Sequence, residues 1–80
     1  MYLTVHAQKR MSKRKITLVQ VLRCLKAGRI SEGPARDHTK GGWKCTVEHY
    51  TAGDSVGVAV AIESIQSTGV TVITVFHITD

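Results

Sequence analysis

No stretch of this sequence stays apolar long enough to span a bilayer. Its longest apolar runs reach about ten residues and are interrupted by Thr and Ser, against the roughly 20 that a spanning helix needs. No basic-then-apolar leader pattern follows Met1, so the expectation is a cytoplasmic protein with no membrane role. Cysteine is scarce. Cys24 and Cys45 stand far apart, with no C-x-x-C and no matched histidine pair. That argues against a zinc site and for two reduced thiols in or near a core. A glycine-rich phosphate loop, a paired-carboxylate site and an H-E-x-x-H motif are all missing, which leaves nucleotide hydrolysis and metalloprotease chemistry without residues. No metal and no other cofactor is expected. Internal repeats and low-complexity segments are absent too, so residues 1–80 are read as one domain with room for a single core.

Acidic residues are the most informative shortage. Residues 1–40 hold ten Lys and Arg against Glu32 and Asp37, a balance of +8. Residues 41–80 hold Lys44 against Glu48, Asp54, Glu63 and Asp80, a balance of −3. The stretch V-H-A-Q-K-R-M-S-K-R-K at 5–15 sets five cations around His6 with no acid among them. A solvated helix face normally interleaves Glu with Lys, because unlike charges at i,i+4 support a helix and like charges oppose it. The asymmetry points to an anionic partner for the N-terminal half, either nucleic acid or an acidic protein.

The apolar pattern changes period along the chain. Leu3, Ala7 and Met11 recur every fourth residue, which predicts a helix over 3–14 whose polar sides carry His6, Lys9, Arg10, Lys13 and Arg14. After a break at Lys15–Ile16, T-L-V-Q at 17–20 has the capping-box form. Leu18, Val21, Leu22 and Leu25 then supply a core-facing stripe for a second helix over 17–27. Gly28 stands where a left-handed C-cap is expected. From residue 29 the period drops to two, with strands expected over 29–35, 43–50, 55–63 and 70–78. Pro34 demotes the first of these to an edge. The short turns imply antiparallel neighbours. The fold class is therefore α+β, with two N-terminal helices packed on a small antiparallel sheet of three to four strands. Gly57, Ala59 and Ala61 line one face of a strand; either the helices press on that face or it stays open to a ligand.

On a helix, His6, Arg10 and Arg14 fall at i, i+4 and i+8, one above another. Two guanidiniums can hold a phosphate bidentately, and an imidazole beside them can move a proton. These groups suffice in kind for metal-free RNA cleavage, in which the ribose 2′-OH attacks the adjacent phosphorus. Plainer alternatives stand beside this one. A lone histidine on a basic helix also serves packing or solubility, and a Lys/Arg run also serves a solvated surface. His38, His49 and His77 read as surface residues, Trp43 as the start of a core strand, and Lys44 as an exposed lysine. Thr74 reads as a strand residue whose hydroxyl is satisfied locally.

The ordered segments V-H-A-Q-K-R-M-S-K-R-K-I-T, V-L-R-C-L-K-A-G-R-I, G-G-W-K-C-T-V-E, V-A-V-A-I-E and V-T-V-I-T-V-F together resemble a widespread family of short bacterial proteins. It is catalogued as domain of unknown function number 4258. That family looks related in fold to the RelE-like and BrnT-like toxins, small ribonucleases with N-terminal helices packed on an antiparallel sheet. The resemblance puts His6, Arg10 and Arg14 at motif positions and Thr74 in the closing strand. Lys15 stands where the family usually has glycine. The resulting expectation is a toxin-like RNA-binding protein, acting as a metal-independent endoribonuclease. Arg10 and Arg14 would hold phosphate, His6 would transfer protons, Lys44 and Thr74 would assist, and Lys9, Lys13 and Lys15 would add binding charge. The partners implied are RNA and an acidic antitoxin. Two rivals remain: a non-catalytic protein of a phage, plasmid or mobile element that binds nucleic acid or an acidic partner through its basic helix, and a homodimer joined through an edge strand.

Overall fold

Two threonines begin the two helices of the structure, a computed structural model that describes residues 1–38, 41–51, 55–62 and 69–78. The Thr4 hydroxyl accepts from the amide of Ala7 at 3.0 Å and opens α1, Val5–Arg14. The Thr17 hydroxyl accepts from the amide of Gln20 at 3.2 Å, while Gln20 Oε1 accepts from the Thr17 amide at 2.7 Å. That reciprocal capping box opens α2, Leu18–Ala27. Between the helices Lys15 adopts φ 57°, ψ 42°, and the amides of Lys15 and Ile16 donate back to Ser12 and Met11. The left-handed cap thus falls at Lys15. It does not fall at Gly28, whose φ of −76° is ordinary extended backbone. Glycine is needed at 28 for space: a Cβ there would lie 2.8 Å from the Glu48 carbonyl oxygen and closer still to that of Cys24.

Among the described residues the sheet has five strands and mixed direction, where three to four antiparallel strands were expected. They are β1, Tyr2–Leu3; β2, Arg29–Arg36; β3, Trp43–His49; β4, Val56–Ile62; and β5, Thr71–His77, in the spatial order β1-β5-β4-β3-β2. The added strand is β1, which pairs parallel to β5 with Tyr2 opposite Thr71 and Leu3 opposite Val72. Leu3 therefore belongs to the sheet and not to the first helix. The amides of Tyr2 and Thr4 donate to the carbonyls of Val70 and Val72, at 2.8 and 3.2 Å, which occupies one end of the free edge of β5.

Both helices lie on one face. Ala7, Ile16, Val21 and Cys24 join Val47, Val56, Val58, Val60, Val72 and Val75 in one buried cluster. The register of β4 then answers the question of its small residues: Val56, Val58 and Val60 point toward the helices, so Gly57, Ala59 and Ala61 line the opposite, open face. There the Phe76 ring sits over Gly57, where a Cβ would collide with it. The α2 stripe is rotated from the expected one. Val21 and Cys24 are fully buried, while Leu18 and Leu22 remain 44% and 43% exposed. In this orientation the Cys24 thiol donates toward the carbonyls of Val47 and Val56 at 3.3 and 3.5 Å, where α2 packs over β3 and β4.

Candidate nucleic-acid interface

The first turn of α1 contains no acid and its last turn contains Lys13 and Arg14, which suit the negative end of the helix dipole. Because α1 is continuous from Val5 to Arg14, the Cα atoms of His6 and Arg14 stand about 12 Å apart along its axis, with Arg10 midway. Each step of four residues also turns about 40°, so the three positions sweep across roughly 80° of one side of the helix. His6 and Arg14 are exposed and Arg10 is half-buried; Ala7, one position from His6, enters the core. Lys9, Lys13 and Lys15 are exposed as well. Among the described residues, no hydrogen bond or ion pair engages the side chains of His6 or of these five Lys and Arg residues. The arrangement is an imidazole and two guanidiniums along one helix flank, exposed at His6 and Arg14, half-buried at Arg10 and flanked by ammonium groups. Chemically it can neutralise and grip successive phosphates.

Lys44 and Thr74 stand elsewhere. Lys44 pairs with Ala61 and Thr74 with Ala59, so both belong to the open face of the sheet, while α1 packs on the other face. Lys44 is exposed and lines a cleft of about 230 Å³ with Glu32, Thr46, Ala59 and Ile73. The five residues expected to act together thus form two groups, one on the basic helix and one on the bare side of the sheet.

A second cleft of about 230 Å³ opens beside the first half of α2, lined by Gln20, Arg23, His49, Thr51 and Val56. Nothing local in the sequence associates Arg23 with His49; β3 brings the histidine to α2 only once the sheet is assembled. His77, at the far end of β5, donates from Nε2 to the Arg14 carbonyl at 2.6 Å and ties down the last turn of α1.

The thiols carry no sign of nucleophilic activation. Burial, reinforced by the Glu48 carboxylate, pushes Cys24 up to about 11, and burial also raises Cys45. Both therefore stay protonated near neutral pH. Among the described residues, no three His, Cys, Asp or Glu side chains group so as to hold a metal ion, and no helix is long and apolar enough to cross a membrane.

A family model described as a domain of unknown function, DUF4258, matches residues 3–77. No curated protein and no solved structure matches the chain.

Proposed function

The chain belongs to this domain family, and from its unpaired basic helix we propose that it is a toxin-like RNA-binding protein gripping the phosphate backbone along α1. The observation that carries the reading is the alignment of His6, Arg10 and Arg14 on one exposed flank, with no carboxylate paired to them among the described residues. Phosphate is the anion that a series of forked guanidiniums at such spacing suits. His6, one turn before Arg10, is the proton-transfer group in the finer version, a metal-independent endoribonuclease cleaving by 2′-OH attack. Two N-terminal helices on one face of a small sheet support the resemblance to the RelE-like and BrnT-like toxins. An acidic antitoxin covering α1 would compete with RNA for the same charges.

A non-catalytic binder is the second reading, favoured by the placement of Lys44 and Thr74 on the opposite face from α1. One series of measurements separates the readings. Single-stranded RNA is expected to bind with a log K that falls linearly with log salt. The double variant Arg10→Gln/Arg14→Gln should reduce the magnitude of that slope by about 1.4, roughly 0.7 for each lost phosphate contact. His6→Ala should keep the affinity and abolish strand cleavage if the enzyme reading holds. Cleavage absent from the unaltered protein leaves the binder. RNA affinity that is absent, or indifferent to salt, removes both.

A further inference from the structure

At one end of the sheet, three strands set His49, Val56 and His77 in a row: His49 pairs with Val56, and Val56 pairs with His77. Val56 is part of the buried cluster, so the row lies on the helix side of the sheet. Neighbouring strands are about 4.8 Å apart, which puts the two histidine backbones roughly 10 Å from each other across β4. His77 marks one end of the row and holds the C-terminal turn of α1, with Lys13, Arg14 and Lys15, against β5. His49 marks the other and lines the cleft shared with Gln20, Arg23 and Thr51.

We propose that the cleft between α2 and the end of β3 is a second phosphate-binding site, reached by an RNA strand that leaves α1 at Arg14 and crosses the sheet end. The Arg23 guanidinium and the His49 imidazole both line it, and neither makes a hydrogen bond or ion pair among the described residues. Among the described residues, no carboxylate belongs to its lining. A guanidinium offers two parallel N–H groups to phosphate oxygens, and an imidazole offers a third donor. The volume of about 230 Å³ falls below the roughly 300–1,000 Å³ of sites that enclose whole organic ligands. It fits a phosphate group with water, the base and sugar remaining outside. Sequence alone sets His49 aside as a surface residue, because its partner lies on a helix 26 positions earlier. RNA as the ligand rests on the function proposed above; the anion site itself rests on the cleft.

The test uses the full chain, inorganic phosphate and a single-stranded RNA octamer, with Arg23→Gln and His49→Gln as variants. In the unaltered protein, inorganic phosphate should shift the His49 ring resonances, and Arg23→Gln should abolish the shift. With the octamer, either variant should weaken binding by about three- to tenfold, and Arg23→Gln should reduce the magnitude of the salt slope by about 0.7, one single-strand phosphate contact. If phosphate leaves His49 unmoved, or moves it equally in Arg23→Gln, the cleft is not a phosphate site. If the octamer ignores Arg23→Gln yet responds to Arg10→Gln/Arg14→Gln, the path across the sheet end is wrong and the role of α1 stands. If the unaltered protein binds no octamer, the role of α1 falls and the phosphate titration alone decides the cleft.

Discussion

Lys15 is the one described non-glycine residue held at positive φ. A side chain in the left-handed region costs roughly 1 kcal/mol or more, and the turn accepts it because it completes the C-cap of α1 and leads directly into Ile16, which is 3% exposed. Lys15→Gly should therefore raise stability by about 1 kcal/mol, or about 4–8 °C in a domain of this size. Circular dichroism during heating reads the change, and an unmoved or lowered midpoint would mean the turn is unstrained. The same variant should bind RNA more weakly, since an exposed cation leaves the patch. The position was legible in advance through the glycine usual there in the resembling family. The common flank of His6, Arg10 and Arg14 was legible too, since four-residue spacing maps onto one side of any helix. That Arg10 alone among them would be half-buried was not, because its surroundings come from other elements.

The helix starts differ in what depends on them. Thr17 closes a local capping box, worth about 1 kcal/mol. Thr4 caps α1 in the same way but also donates its hydroxyl toward the carbonyls of Val72 and Ile73, each at 3.1 Å, next to the irregularity in the β4–β5 register. Thr4→Ala should thus cost about 2 kcal/mol against about 1 for Thr17→Ala, adding one hydrogen bond to the lost cap. Urea midpoints of the two variants measure the difference, and equal losses would show that the tie to β5 contributes nothing. Thr17 was readable because T-L-V-Q contains both halves of its box within four residues. Thr4 was hidden: the apolar period ran through Leu3 and suggested a longer helix. What makes Tyr2 and Leu3 a strand is the edge of β5, whose pairing residues lie at the other end of the chain. The rotation of α2 escaped for a similar reason, since a pattern of leucines does not say which two apolar neighbours the sheet will accept.

Across the whole molecule, two glycines stand where a Cβ has no room, one between helix and sheet and one on the open face. A Cβ at Gly28 would strike the carbonyl oxygens of Cys24 and Glu48, where α2 meets β3, and backbone in the middle of the fold cannot retreat. A Cβ at Gly57 would strike the Phe76 ring on the open face, which can swing toward solvent. Gly28→Ala should cost about 2–4 kcal/mol, within the range of overpacked sites, and Gly57→Ala about 1 kcal/mol with displacement of the ring. Chemical denaturation gives the first difference and the near-ultraviolet or NMR signature of Phe76 the second. A larger loss at Gly57 would mean that the open face is the more rigid one.

Sequence by itself determined the α+β class, the capping box at Thr17, the positive charge of the leading helix and the common flank of His6, Arg10 and Arg14. Each of these depends on residues close together along the chain, where spacing and side-chain chemistry suffice. Tertiary structure alone decided the fifth strand, the parallel pairing of β1, the separation of Lys44 and Thr74 from α1, and the meeting of Arg23 with His49. Those features depend on which strand lies beside which, and hydrogen-bond pairing between distant segments leaves no periodic trace in either one.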